Sequence, residues 1–353
     1  MQKTKRFTSL AAIVALGTLA AACGSDSKTT ATNAPTTVAS GATTPAASSN
    51  ITAGVAFDTG GRGDGTFNDS AGRGLDQAVS ELGVKKIELE ATKDEDRKTN
   101  LDLLVQQKAN PVIGVGFLFG DPMLALAKAT PNTTFAIVDS VVDAPNVRSL
   151  VFAENEGSFL VGAAAALKSK TGHIGFIGGQ EIDLIKKFEA GYIAGAKAVN
   201  PAIKVDSKYL GAAGDNSAWG NVAGAKEIAK GWYDAGADVI YTAAGGSGAG
   251  TIQAAVEADK WAIGVDSDQY LIAKPEEQKH ILTSMLKRVD VAVFQTIKAV
   301  ADGDTKGGII TFDLKVDGVG YATSGGFLDD VKDKLDAFKA DIISGKIVVP
   351  TKP

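Results

Sequence analysis

Soft metal ligands are scarce in this sequence, which has one cysteine and two histidines among 353 residues. A single cysteine excludes an internal disulfide, and so few soft ligands exclude a structural zinc site. Basic residues are not in excess either, since 36 Lys and Arg stand against 41 Asp and Glu. A dedicated nucleic-acid-binding protein normally has a basic surplus. We therefore expect no metal site and no nucleic-acid partner.

Common catalytic motifs are also missing. The sequence has no Gly-x-Ser-x-Gly elbow and no His-Glu-x-x-His pair. It has no P-loop, and the Gly-x-Gly strings at Gly61 and Gly246 lack the third glycine of a dinucleotide fingerprint. We expect a protein that is not an enzyme and needs no cofactor. The alternative is a hydrolase, a glycosidase or nucleosidase, that uses two carboxylates in a cleft.

The N-terminus has the pattern of an export signal. Basic residues within the first six positions precede an apolar run over 7–22, which is too short for a comfortable membrane span. Cys23 follows three alanines and resembles the lipidated cysteine of a bacterial lipobox; the alternative is a plain signal peptide with an incidental cysteine. We predict a signal peptide over 1–22, a lipidated Cys23 with a flexible Thr/Ser/Ala-rich tether over 23–50, and a lipid-anchored location on the extracytoplasmic face of the cell membrane.

The remaining 300 or so residues, enough for two domains, alternate short apolar runs with segments of helical periodicity. The strand candidates are Ile51–Phe57, Ile87–Leu89, Val112–Val115, Phe135–Val138, Ile174–Ile177, Val205–Leu210, Val239–Tyr241 and Ala262–Val265. The helix candidates begin near Ser70 and include Thr99–Lys108, Pro122–Ala129, Ser158–Leu167, Leu184–Val199, Val222–Ala235 and Thr251–Ala258. This alternation predicts an α/β protein with parallel sheets covered by helices on both faces.

Three of the predicted strands are followed directly by aspartate: Asp58, Asp139 and Asp266. Ligands of open parallel sheets bind just beyond the carboxyl ends of the strands. We therefore expect the three carboxylates to share one site. The alternative is that each aspartate only caps the following helix.

Several longer segments resemble the basic membrane protein family of ABC-transporter substrate-binding lipoproteins, whose best-understood members bind purine nucleosides. The order and spacing of these segments carry the resemblance more than any one of them. The segments are Asp58–Ala71, Phe135–Asp139, Glu154–Gly162, Gly175–Gly179, Phe188–Gly195, Gly236–Gly248, Ile263–Gln269 and Ser284–Asp290.

The resemblance implies a type I periplasmic-binding-protein fold, in which two Rossmann-like lobes are joined by a hinge of several strands. It predicts a first lobe of residues 51–153 plus about 280–302, and a second lobe of 154–279 plus about 303–353. The implied function is that of a substrate-binding lipoprotein of an ABC importer. The implied partners are a nucleoside, purine being favoured, and the permease and ATPase subunits. We expect a monomer, and a sugar or another small metabolite is the alternative ligand.

The resemblance also implies a ligand site between the lobes. Phe67 would stack on the base, the alternative being a loop residue folded onto the core, and either Tyr241 or Trp219 would stack opposite. Polar recognition would come from carboxylates, an amide and a lysine, with two glycines that let the main chain approach the ligand. These predicted residues are Asp58, Asn68, Asp139, Gly245, Gly246, Asp266 and Lys287.

Overall fold

The computed structural model of the protein describes residues 50–353. The predicted signal peptide, the lipidation of Cys23 and nearly all of the tether lie outside the described residues and remain predictions. Between residues 50 and 353, no helix combines the length and the apolar character needed to cross a membrane.

The described chain contains twelve strands and ten α-helices. The strands are β1 (Thr52–Phe57), β2 (Lys85–Glu90), β3 (Val112–Val115), β4 (Phe135–Val138), β5 (Val147–Phe152), β6 (His173–Gln180), β7 (Lys204–Gly211), β8 (Val239–Ala243), β9 (Trp261–Asp266), β10 (Ile281–Lys287), β11 (Gly308–Phe312) and β12 (Val319–Tyr321). The helices are α1 (Phe67–Leu82), α2 (Asp96–Gln106), α3 (Gly120–Ala129), α4 (Glu154–Lys168), α5 (Asp183–Val199), α6 (Val222–Asp234), α7 (Gly248–Ala258), α8 (Pro275–Gln278), α9 (Val289–Ala301) and α10 (Lys332–Ile343).

The strands form two six-stranded sheets, in the orders β11-β5-β4-β3-β1-β2 and β12-β10-β9-β8-β6-β7. Every pair is parallel except β10 with the short β12. The inner strands are buried on both faces, as in β3 and β4, because helices cover both sides of each sheet. The predicted alternation of parallel strands and helices is confirmed.

The connections between the sheets define two lobes. The first lobe comprises residues 50–153 and 289–312, and the second comprises 154–288 and 313–353. Helix α9 belongs to the first lobe because it packs closely on α1: a Cβ atom at Gly74 would lie 2.1 Å from the Asp290 carbonyl oxygen. The chain crosses between the lobes three times, before α4, after β10 and after β11.

Two strands lie in a different lobe from the one predicted. Strand β10 was expected with the first lobe but pairs with β9 of the second sheet. Strand β11 was expected with the second lobe but pairs with β5, Gly308 lying opposite Arg148. These lobe boundaries came from the family resemblance and not from strand patterns, and the pairing of distant segments is decided by tertiary packing.

Candidate functional site

A cavity of about 270 Å³ lies between the lobes at the carboxyl ends of strands from both sheets. Each of these strands contributes the residue at its end or just beyond it. From the first lobe these are Asp58, Gly116 and Asp139, and from the second they are Ala244, Asp266 and Lys287. The structure therefore brings the three aspartates of the sequence prediction into one site, as expected for parallel strands that share an edge.

Lys287 lies at the centre of the polar wall. Its side chain is only 3% exposed, and its Nζ atom donates a hydrogen bond to Asp139 Oδ2 at 2.5 Å. The other oxygen of this carboxylate, Oδ1, is buried and has no hydrogen-bond partner within the described chain. A buried acceptor without a partner is costly, so Asp139 offers a place for a donor group of a ligand.

Burial and neighbouring charges shift the pKa values of Asp266 and Lys287. Desolvation raises the pKa of Asp266 to about 7, and Lys287 opposes the shift while Asp139 adds to it. Desolvation alone would lower the pKa of the Lys287 ammonium, but the pKa is raised because Asp139, Asp266 and Glu154 surround it. Lys287 therefore stays charged, and Asp266 titrates near neutral pH.

Backbone strain marks the same two aspartates. Asp139 has φ of 68° and Asp266 has φ of 65°, in the left-handed region that residues other than glycine rarely adopt. Such strain persists only where the surrounding structure enforces it, and it is frequent at ligand sites. Asp139 directly follows the buried strand β4, and Asp266 is the last residue of the buried strand β9. The rigid sheets therefore hold the two carboxylates in place.

Aromatic side chains form the apolar walls of the cavity. Phe67, the first residue of α1, lies with its ring centroid 5.0 Å from Lys287 Nζ. Phe188 of α5 lies 5.7 Å from the same atom, and Phe117 and Trp219 form an edge-to-face pair with centroids 6.3 Å apart. All four rings line the cavity.

The sequence prediction had included Phe67 and Trp219 but missed Phe117 and Phe188. Phe188 begins one of the segments that carried the family resemblance, which could have singled it out. Phe117 follows β3 directly, at the same sheet edge as the aspartates, and that position was the available signal.

The prediction that Tyr241 is a ligand contact is wrong. Tyr241 is fully buried in β8 and does not line the cavity. Its ring packs on Phe176 and Tyr192, with centroids 5.6 and 5.3 Å away, and its hydroxyl lies 3.4 Å from Ser158 Oγ. Because side chains alternate along a strand, Tyr241 points into the core of the second lobe. Of the two aromatic residues predicted to lie opposite Phe67, only Trp219 lines the cavity.

Hydrogen bonds organise the loop that runs from Asp58, after β1, to the start of α1, where Asn68 lies. Asn68 Oδ1 accepts from the Asp58 amide at 3.2 Å, and Asn68 Nδ2 donates to Asp64 Oδ2 at 3.1 Å. Asp64, which the sequence prediction overlooked, also accepts from the amides of Thr66, Asn68 and Asp69. Both Asn68 and Asp64 line the cavity, and their hydrogen bonds hold Phe67 and Asp58 in position.

Gly245 and Gly246 line the cavity just after β8, as predicted. Gly245 has φ of +54° and begins a short 3-10 helix that leads into α7. A Cβ atom at either glycine would lie 3.5 Å from the Trp219 carbonyl oxygen, so the chain is closely packed here. Main-chain groups, rather than side chains, therefore form this part of the wall.

The cavity combines aromatic walls with a cluster of carboxylates and one lysine. Its ionisable groups are mostly acceptors, with Lys287 as the one cationic side chain among the described lining residues. No serine, cysteine or histidine lines it there, and the described residues contain no cluster of His, Cys, Asp and Glu that could hold a metal ion. An ionised carboxylate only accepts hydrogen bonds, so the pocket selects ligands that present N–H or O–H groups.

Comparison with known proteins assigns the chain to a family. Residues 51–353 match the Bmp family, described as ABC transporter substrate-binding protein PnrA-like. The chain belongs to this family. The recognition made from the sequence segments is thus confirmed, and this Bmp-family protein is a substrate-binding protein of an ABC transporter, with a small-molecule ligand and transporter subunits as partners.

Relatives of this Bmp-family protein are similar over most of their length. A Lactococcus lactis protein named ABC transporter nucleoside-binding protein BmpA is 39% identical over 323 residues, 86% of this chain and 90% of that protein. An uncharacterized lipoprotein of Pyrococcus abyssi is 35% identical over 77% of this chain and 69% of its own. The crystal structure of an ABC transporter system solute-binding protein from Aeropyrum pernix superposes with a TM-score of 0.72 at 29% identity, covering 85% of this chain and 94% of that one. The predicted type I periplasmic-binding-protein fold is confirmed.

Proposed function

We propose that this protein captures a nucleoside, with a preference for purines, and delivers it unchanged to the permease of an ABC importer. The observation that carries the proposal is the aromatic wall of Phe67 beside the buried carboxylates around Lys287. A nucleoside combines a flat base with ribose hydroxyls, and a receptor needs a stacking surface for one and oriented acceptors for the other. The name of the Lactococcus lactis relative supports the same ligand class.

Each lining residue has a role in this proposal. Phe67 stacks on one face of the base, and Phe188 and Trp219 supply the remaining aromatic surface. Asp139 accepts an N–H or O–H through its free oxygen Oδ1. Asp266 accepts ribose hydroxyls, and Lys287 holds both carboxylates while it donates to the ligand.

The remaining polar positions hold the loops. Asp58 and Asn68 fix the segment that carries Phe67, and the main chain at Gly245 and Gly246 approaches the ligand from the second lobe.

We propose that the protein acts outside the cytoplasm as a monomer anchored by a lipid on Cys23. The export-type N-terminus and the cysteine that follows the apolar run support this location. The relative from Pyrococcus abyssi is named a lipoprotein, which supports the proposed lipid anchor. Metabolic labelling with a radioactive fatty acid is expected to mark the protein, and Cys23→Ser is expected to abolish the label and release the protein from membranes.

A ligand panel tests the proposed substrate class. We expect purine nucleosides to raise the unfolding temperature most, pyrimidine nucleosides less, and free sugars and nucleotides little, because only a binder of the folded state stabilises it. Phe67→Ala is expected to weaken adenosine binding by about 1–3 kcal/mol in titration calorimetry, in analogy with base–aromatic stacking. Phe338→Ala, which removes a ring of α10 that packs on Phe159 away from the cavity, is the matched control.

The same panel separates the proposal from its alternatives. A sugar that stabilises the protein more than any nucleoside would contradict the nucleoside assignment. Chromatography of the bound ligand is expected to return intact nucleoside, and release of a free base would identify a hydrolase instead. Equal affinity of the Phe67→Ala variant and the parent chain would show that Phe67 is not a stacking surface.

A further inference from the structure

A hydrogen-bonded pair outside the ligand cavity joins the two lobes, in addition to the bonds that Ser267 of the second lobe makes with Thr66 and Arg73 of the first. Asn216 Nδ2 lies 3.1 Å from Asp94 Oδ1 and 3.0 Å from Asp94 Oδ2. Asp94 lies in the first lobe, in the connection between β2 and α2, and Asn216 begins a 3-10 helix, Asn216–Trp219, of the second lobe. The two residues are 122 positions apart, so only the arrangement of the lobes brings them together.

On the side of the first lobe, this pair connects to the cavity through Arg97. Arg97 Nη1 donates to Asp94 Oδ1 at 2.7 Å, and Arg97 Nε donates to Asp58 Oδ1 at 2.8 Å. The Arg97 side chain is only 5% exposed, so its guanidinium is held by these two carboxylates. Because Asp58 lines the cavity, Arg97 connects the cavity wall to the contact between the lobes.

On the side of the second lobe, the pair connects to an aromatic wall of the cavity. Asn216 Oδ1 accepts from Gln180 Nε2 at 2.8 Å, and Gln180 is buried at the end of β6. The 3-10 helix that Asn216 begins ends at Trp219, whose ring meets Phe117 of the first lobe edge to face. The 3-10 helix Asn216–Trp219 thus contacts the first lobe at both ends, through the hydrogen bond to Asp94 and through the ring of Phe117.

We propose that Asp94 and Asn216 form a latch that holds the lobes closed over the ligand, with Arg97 as the positioning residue that links the latch to Asp58. The latch sets how long a ligand stays bound rather than which ligand enters. It rests on the substrate-binding role of the family and not on the nucleoside assignment. A hydrogen bond made only in the closed form stabilises that form alone, and this slows opening and release.

Two variants test the contact itself. Asn216→Asp places a second carboxylate against Asp94 and removes the donor. Adding Asp94→Asn to that variant restores an amide–carboxylate pair with the roles exchanged, and the introduced amide still offers an oxygen to Arg97. Asn132→Asp adds the same charge on an exposed turn of the first lobe and serves as the matched control.

Spin labels on the two lobes measure opening directly. The full chain with Cys23→Ser carries labels at Lys128→Cys on α3 and Glu227→Cys on α6, both exposed positions. The distance distribution is recorded without ligand and with adenosine, and the rate of adenosine release is measured by stopped flow. We expect Asn216→Asp to shift the distribution away from that of the closed form and to speed release about 3- to 10-fold, and the double variant to reverse both effects.

The outcomes distinguish the latch from the ligand assignment. If adenosine leaves the parent distribution unchanged while Asn216→Asp still shifts it, the nucleoside assignment fails and the latch stands. If Asn216→Asp behaves as Asn132→Asp does in both measurements, the latch is overturned. Failure of the double variant to recover also overturns it, since a general structural defect would not depend on restoring this one pair.

Discussion

At the scale of single residues, the site depends on a few buried ionisable groups that the fold holds in place. Asp139, Asp266 and Glu154 surround Lys287, and burial raises the pKa of Asp266 to about 7. A buried carboxylate of this kind costs folding free energy when it is ionised, and a ligand that donates to it offsets that cost. Binding and stability therefore oppose one another at this position.

Asp266 makes folding stability depend on pH in a predictable direction. The folded state keeps a proton up to about pH 7, whereas the unfolded chain releases it near pH 4, so stability falls as pH rises through this window. Asp266→Asn removes this cost and is expected to raise the free energy of unfolding of the ligand-free protein at pH 8 by on the order of 1–4 kcal/mol, with little effect near pH 4. Urea unfolding at several pH values measures the difference.

Asp234→Asn, an exposed carboxylate on α6 of the same lobe, is the control and should show no such pH dependence. If Asp266→Asn raised the free energy of unfolding equally at pH 4 and pH 8, the stability cost could not come from ionisation of Asp266. The same variant should lose nucleoside affinity, since the amide has one acceptor oxygen where the ionised carboxylate has two.

At the scale of secondary-structure elements, the close pair α4 and α5 positions one aromatic wall. Helix α5 carries Phe188 at the cavity wall. On its face toward α4 it has glycines, Gly191 and Gly195, which have no side chain. A Cβ atom at Gly191 would lie 2.1 Å from the Asn155 carbonyl oxygen. The main chains of the two helices are therefore in direct contact, and no substitution fits without moving one of them.

Gly191→Ala is expected to destabilise the protein by about 1–3 kcal/mol, because the added methyl group overpacks a rigid backbone contact. It should also weaken ligand binding, since α5 must shift together with Phe188. Gly231→Ala in α6 is the matched control: no atom lies within 4 Å of the position of its Cβ, and it is expected to stabilise by about 0.4–1 kcal/mol. Calorimetry of both variants, with and without adenosine, checks the prediction; equal unfolding temperatures would refute it.

At the scale of the whole molecule, the two lobes share one apolar cluster, and each lobe has a further cluster of its own. A single cluster of buried side chains contains Phe57 and Leu75 of the first lobe together with Ile174 and Met285 of the second. Three chain crossings add covalent connections between the lobes. Unfolding one lobe would therefore expose apolar surface of the other, and this couples their stabilities.

We expect thermal unfolding to occur as one cooperative transition in calorimetry, with the calorimetric and van't Hoff enthalpies equal. Adenosine is expected to move this transition to higher temperature without dividing it, because residues of both lobes line the cavity. Circular dichroism at a far-UV wavelength and tryptophan fluorescence should report the same midpoint. Two separate transitions, only one of them shifted by the ligand, would show that the lobes fold independently.

The sequence alone determined the repeating units and the position of the ligand site. Alternating buried strands and helices imply parallel sheets, and the carboxyl ends of such strands meet at one edge, so Asp58, Asp139 and Asp266 were correctly expected to meet. Strands β3 and β4 were predicted to the residue because short, wholly apolar runs have a strong local signal. Strands β5, β10, β11 and β12 were missed. In β5 and β10, the polar residues Arg148, Ser149, Thr283 and Ser284 interrupt the apolar pattern.

Only the tertiary structure decided which segments pair and which side chains face the cavity. It placed β10 and β11 in their sheets, turned Tyr241 into the core, brought Phe117 and Phe188 to the ligand site, and joined Asp94 to Asn216. These relations link positions far apart in the chain. The local pattern around a residue records whether it is buried, but a partner more than a hundred residues away is selected by the free energy of the packed whole.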